Sequence, residues 1–497
     1  MSLTAVLVVV VAAVLIGAFG IRVSRTTSDF YVASRTVSPL WNASAIGGEY
    51  LSAASFLGVA GLILSFGADM LWLPVGWTGG YLVLLVLVSA PLRRSGAYTL
   101  PDFAEARLES MAVRRTASVL VVLIGWLYLM PQFQSAGLVL RTITGAPVWV
   151  GGLLVAVVVA VNVLSGGMRS ITFVQAFQYW LKLTALAVPL VFLLMAWKAD
   201  GAPGLSAVDA ATWETPLSGG KEYGLYSTYS LILATFLGTM GLPHVLVRFY
   251  TNPDGRAARR TTLVVLTLLG AFYLLPALYG WLGRLYVPDV ARADTVVLSL
   301  PERMVGGTLG DLLTALVTAG AFAAFLSTSS GLTVSVAGVI AQDLLKGGVR
   351  SFRIATLMAV VVPLALALAL WSRALPVADV VGLAFAVAAS SFCPLLVLGI
   401  WWRRLSTTGA LAGLFVGGGL ACGAVLVTIV GGPREGVAGA LLAQPAAWTV
   451  PIAFTVMVSV SFLTPHRVPP GVARTMVRLH TPEDLDLDRG DWRPRSS

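Results

Sequence analysis

Four features of this chain could do chemistry inside an apolar surrounding. Glu49 lies in the run Ala45-Ile46-Gly47-Gly48-Glu49-Tyr50-Leu51-Ser52-Ala53-Ala54-Ser55-Phe56. A carboxylate within a hydrocarbon layer is expensive and generally functional. It is a candidate for cation or proton coupling, or for capping unwound backbone, since adjacent glycines favour local unwinding. Ser327-Thr328-Ser329-Ser330 follows the apolar run Gly320–Leu326. Such hydroxyls either bond back to their own helix or, with freed carbonyls, supply the oxygens that a hard cation prefers. Lys182 follows Gln175 and Gln178 at helical spacing. It is a candidate for attracting an anionic substrate or neutralising Glu49, unless it snorkels to a surface. His244, after Gly241-Leu242-Pro243, could relay protons, though such a histidine more often bonds a carbonyl.

The elements that must position these residues are long and apolar. Of 497 residues, 57% are hydrophobic and 11% charged, against about 25% charged in soluble domains. Runs of about 20 apolar residues cross a bilayer as helices, and backbone in lipid must pair internally. No alternating pattern suggests a barrel. The runs predict an all-α polytopic membrane protein with about thirteen spans: 3–21, 41–66, 70–91, 116–140, 147–165, 171–196, 227–248, 261–283, 306–342, 354–371, 377–402, 407–430 and 446–464. The first run lacks the basic leader of a secretory signal and reads as a retained helix. Lys182 falls near mid-membrane in the sixth span.

Basic residues set the orientation. Of 33 Lys and Arg, 24 fall on one alternating set of loops and the tail, including Arg93, Arg94, Arg107, Arg114, Arg248 and Arg403, against 8 on the other set. Positive loops stay cytoplasmic, so the N-terminus is expected outside and the C-terminus inside the plasma (inner) membrane. Residues 1–464 form the transmembrane domain. Residues 465–497, rich in Pro, Arg and Asp, are expected to be a cytoplasmic tail without fixed structure. The external segment 198–226 could form a small lid.

Several functions are excluded. The only Gly-Lys pair, Gly220-Lys221, is followed by Glu222, so no phosphate-binding loop for ATP exists. Cys393 and Cys422 have no metal, haem or iron–sulfur spacing. The net charge of +10 sits on membrane-flanking loops and does not point to nucleic acid. No catalytic constellation appears, so the chain does not read as an enzyme, and no cofactor is implied.

Five motifs together resemble the sodium:solute symporter family, within it the cation/acetate (monocarboxylate) symporters. They are GEYLSAASFLG at 48–58, YTLPDFAEARL at 98–108, SGGMRSITFVQAFQ at 165–178, GLPHVLVRFY at 241–250 and GAFAAFLSTSSGL at 320–332. The resemblance covers about residues 3–464. It implies a LeuT-type fold with two inverted five-helix repeats, at about 41–196 and 227–402, followed by two helices over 407–464. It implies a Na⁺ site between the second and ninth spans. Carbonyls of Gly48, Leu51 and Ala324 and hydroxyls of Ser327 and Thr328 would be its ligands. Tyr50, Ser52 and Ser55 would adjoin the substrate, and Ser55 stands where sugar-carrying members have an amide. Glu49 resembles an acid of the acetate branch.

The expected activity is symport of Na⁺ with acetate, propionate or pyruvate. Three alternatives stand: H⁺ coupling through Glu49, another small solute such as proline, and a membrane sensor using the same fold.

Overall fold

The computed structural model describes residues 1–21, 37–206, 210–215, 217, 223–345, 347–373, 376–432 and 434–483. Helix α1 is Ser2–Ile21, α2 Pro39–Tyr50, α3 Val59–Phe66, α4 Trp72–Val83 and α5 Ser89–Ser95. Then come α6 Leu100–Leu108, α7 Met111–Thr144, α8 Val148–Ala199, α9 Gly224–Thr239, α10 Pro243–Phe249 and α11 Gly255–Tyr286. The rest are α12 Val296–Met304, α13 Gly307–Val339, α14 Gly348–Ala369, α15 Val377–Trp401, α16 Thr407–Gly413, α17 Gly419–Gly431, α18 Gly436–Ala443, α19 Ala446–Leu463 and α20 Val472–His480.

Eleven stretches among the described residues are long and apolar enough to cross a membrane. This differs from the thirteen read in the sequence. Ala54–Ser95 counts as a single 42-residue stretch, and Ser2–Ala18 falls in a shorter class. Within that stretch the chain still turns at Gly67, whose φ of 72° is a conformation glycine reaches without a Cβ penalty. The turn ends α3 and starts a short 3₁₀ segment before α4.

Helix α13 is the axis of the bundle. Every residue from 317 to 341 is buried, as a helix apolar on all sides requires. Helices α8, α2, α7 and α1 pack around it. Outward faces carry large apolar side chains, among them Leu274, Leu426 and Met195, all more than 60% exposed. A lipid layer covers such faces; water would not tolerate them over this area.

One end of the bundle is tied by arginines. Arg114 pairs with Asp102 at 2.8 Å, Glu105 at 2.5 Å and Asp343 at 2.6 Å. Arg107 donates to the carbonyls of Gly399 and Trp402, and Arg93 to those of Asn252 and Pro253. These segments belong to the loop set that carries the excess of basic residues.

The tail departs from expectation. Residues 472–480 form α20, with Met476 and Leu479 buried. Its polar composition hid an amphipathic helix, whose few apolar residues fall on one face and seat against α5 and α6. Residues 484–497 lie outside the described residues, as do 207–209, 216 and 218–222 of the expected lid. The described part of that segment is anchored by Trp213, whose Nε1 donates to the Leu64 carbonyl at 3.1 Å.

Candidate functional site

Two interrupted helices face each other beside α13. The first is the second span. Helix α2 ends at Tyr50, Leu51 leaves the helix with ψ of 84°, and a π-helical turn resumes at Ala54. The side chain of Gln132 on α7 accepts from the freed Ala53 N–H at 3.0 Å. The second interruption runs from Met240 to Leu242, between α9 and α10, where Gly241 and Pro243 suggested a bend. Tyr50 OH and Thr239 Oγ1, 2.8 Å apart, join the two breaks.

The adjacent glycines do not themselves unwind. Gly47 and Gly48 are helical, and the break falls after them. Gly48 is needed because α8 comes so close: a Cβ there would stand 2.1 Å from the carbonyl oxygen of Gln175.

Three of the five expected cation ligands, Gly48, Leu51 and Ser327, meet at Lys182. Its Nζ donates to the Gly48 carbonyl at 2.5 Å, the Leu51 carbonyl at 2.7 Å and Ser327 Oγ at 3.0 Å. Ser327 Oγ in turn donates to the Ala324 carbonyl at 3.1 Å. Thr328 Oγ1 turns instead to the Glu49 carbonyl, at 2.6 Å. Gln175 Nε2 holds the Ser327 carbonyl at 2.8 Å. Lys182 is fully buried, so it does not snorkel.

Glu49 is paired elsewhere. Its Oε2 accepts from Arg248 Nε at 2.7 Å, with both side chains buried. Arg248 also donates to Thr172 Oγ1 at 2.8 Å and to Gln175 Oε1. Sequence reasoning put Arg248 among the loop arginines. The structure puts it in the core, one turn after His244 on α10. The signal was available: a lone deep acid needs a counter-charge.

Beyond the first break lies a cluster of aromatic rings. Tyr50 lies against Tyr81 and Phe385, at ring separations of 4.9 and 6.2 Å. Phe385 touches Trp77 and Tyr128, Trp77 touches Tyr273, and Tyr128 touches His244. Ser55 Oγ and Tyr273 OH are 2.9 Å apart, and Ser52 is buried at the break. Trp77 Nε1, Tyr81 OH and both ring nitrogens of His244 are buried without a hydrogen-bond partner. Most buried polar groups are paired, so these polar atoms are available to a small guest. Trp77, Tyr81, Tyr128, Tyr273 and Phe385 were not singled out from sequence, because an aromatic side chain in an apolar span looks like any other core residue.

An apolar helical bundle with two broken helices meeting beside a polar seam defines a secondary transporter, in which sites form at discontinuous helices. The family model for the sodium:solute symporter family matches residues 30–417. An uncharacterized symporter of Bacillus subtilis is 32% identical over 461 residues, 88% of this chain and 89% of that one. A monocarboxylic acid transporter of Corynebacterium glutamicum is 32% identical over 434 residues, 80% and 78% of the two chains. The chain belongs to the sodium:solute symporter family: it is a multi-pass membrane symporter of a small solute, not an enzyme. Among solved structures, a Na⁺-coupled sialic acid symporter in a substrate-bound outward-open state matches with a TM-score of 0.71, 15% identity and coverage of 92% of this chain and 98% of that one. A nucleobase-cation-symport-1 family transporter in a closed conformation matches with a TM-score of 0.59, 14% identity and coverage of 91% and 99%. Both likenesses show the fold, which is of the LeuT type with inverted repeats.

Proposed function

We propose that this chain is a secondary active symporter that takes up a small monocarboxylate, such as acetate, propionate or pyruvate, with a coupling cation. The observation that carries this reading is the closed aromatic cluster at the helix break, with the unpartnered donors Trp77 Nε1 and Tyr81 OH facing no ordered partner. Neutral N–H and O–H groups can hold a carboxylate by hydrogen bonds. The short side chains of Ser52 and Ser55 and the dense ring packing favour a cargo of few atoms. The monocarboxylic acid transporter among its relatives supports the same class. We place the N-terminus outside and the C-terminus in the cytoplasm, from the distribution of Lys and Arg.

The cation implied by the family is Na⁺, and the motif resemblance would give it Gly48, Leu51, Ala324, Ser327 and Thr328 as ligands. Inward Na⁺ binding would tie the second span to α13, and linkage would make the cation and the carboxylate favour each other's binding. Proton coupling is the second reading. The observation that favours it is the amine of Lys182, which sits among those ligands. A carrier role for Glu49 would require its pair with Arg248 to part.

Uptake of labelled acetate into proteoliposomes tests the reading. Accumulation above equilibrium is expected under an inward cation gradient, suppressed by excess propionate or pyruvate. Comparing Na⁺ and H⁺ gradients separates the two forms. No accumulation with either gradient, together with uptake of proline, would overturn the monocarboxylate assignment.

A further inference from the structure

We infer that the amine of Lys182 is this chain's own resident cation at the seam between the second span and α13, so that Na⁺ does not bind there. The inference rests on reading this seam as the symporter's cation site.

The hydrogen-bond geometry suits a charged amine. Ser327 Oγ spends its hydrogen on the Ala324 carbonyl, so toward Lys182 it can only accept. The carbonyls of Gly48 and Leu51 can only accept as well. Three acceptors around one nitrogen match the three N–H donors of an ammonium. The ammonium makes no hydrogen bond to Glu49, whose carboxylate is held by Arg248. It is balanced as a bare cation would be, by carbonyl and hydroxyl oxygens.

The place is equally telling. Gly48 and Leu51 are the carbonyls beside the helix break, and Ser327 is the first of four consecutive hydroxyl residues on α13. An ammonium within 3.0 Å of all three groups occupies the space that a metal ion would need, and the like charge repels one. Lys182 comes from α8, so this cation is tethered and joins three elements at once. A transported ion arrives and leaves; this one stays with the protein. The seam is therefore closed without Na⁺, and the driving force for uptake does not come from Na⁺ at this locus.

Equilibrium binding of radioactive Na⁺ to the purified full-length chain in lipid nanodiscs tests this without any carboxylate present. The two proposals therefore fail separately. The native chain is expected to show no saturable Na⁺ binding that Ser327→Ala/Thr328→Ala removes; saturable binding that survives that double substitution belongs to another locus and agrees with the inference. Lys182→Ala vacates the seam and should bind Na⁺ at least about tenfold more tightly than the native chain, an increment lost when Ser327→Ala is added. Native Na⁺ binding abolished by Ser327→Ala/Thr328→Ala would overturn the inference. A monodisperse Lys182→Ala that gains no Na⁺ binding would overturn it too. If Lys182→Ala does not fold, the native chain and the Ser327/Thr328 variant decide alone.

Discussion

At the scale of residues, the core of this symporter holds two cations and one anion in close quarters. Among the described residues, Arg248 and Glu49 form the one ion pair with both partners fully buried. A buried pair is weak evidence of stability by itself, yet removing one partner leaves an uncompensated charge and costs about 3–5 kcal/mol. Arg248→Met should therefore lower the thermal midpoint of the purified protein sharply. Glu49→Gln/Arg248→Met should recover more than half of that loss, because neither charge is then stranded. If the double variant melts no higher than Arg248→Met, the pair is not the reason for the loss. The sequence placed Glu49 and Lys182 deep in the membrane and prompted the thought that they neutralise one another. Their true partners depend on which helices meet, which spacing along one chain does not encode. Arg248 was missed because it ends an apolar run, where arginines commonly mark the interface.

At the scale of elements, the site depends on how closely α8 approaches α2. The Gln175 carbonyl lies against Gly48, where even a methyl group would stand 2.1 Å away. Backbone on a packed helix does not yield readily, so Gly48→Ala must push α2 off α8. The move would draw the Gly48 and Leu51 carbonyls away from Lys182 Nζ. We expect at least a tenfold loss of uptake, roughly 1.4 kcal/mol in the transport barrier, with no loss in Gly270→Ala, where nothing lies within 4 Å of the added Cβ. Equal uptake by the two variants would mean that the close approach does not matter. Both helix breaks were legible in sequence, from Gly47-Gly48 and from Gly241-Leu242-Pro243, although the first break falls three residues beyond its glycines. The convergence of Gly48, Leu51, Ala324 and Ser327 was legible only through the family's motifs. The aromatic cluster was not legible at all, because Trp77 and Tyr81 on α4 meet Phe385 on α15, far away in the chain.

At the scale of the whole molecule, a transporter must open at each end in turn, so the ties across each end set which state prevails. At the arginine-rich end, the tail crosses the seam between α5 and the start of α11. Glu483 accepts from the Gly255 N–H at 2.9 Å and pairs with Arg94 at 3.3 Å. Arg478 donates to the Arg94 carbonyl at 3.2 Å. Residues 94 and 255 lie one in each expected repeat, so these bonds would tie the two repeats at this end. Each contact is partly exposed and worth at most about 1 kcal/mol, but a conformational equilibrium shifts about tenfold for every 1.4 kcal/mol. Deleting the chain after Pro470 removes α20 and all three bonds. Amide hydrogen exchange should then quicken in residues 93–98 and 250–258 by several-fold, while residues 320–332 on α13 keep their native rate. Glu483→Ala alone should give a smaller change in the same two segments. Unchanged exchange in the truncated protein would mean that the tail merely rests on the bundle. Acceleration that reached α13 would mean that the tail stabilises the whole fold rather than one of its conformations.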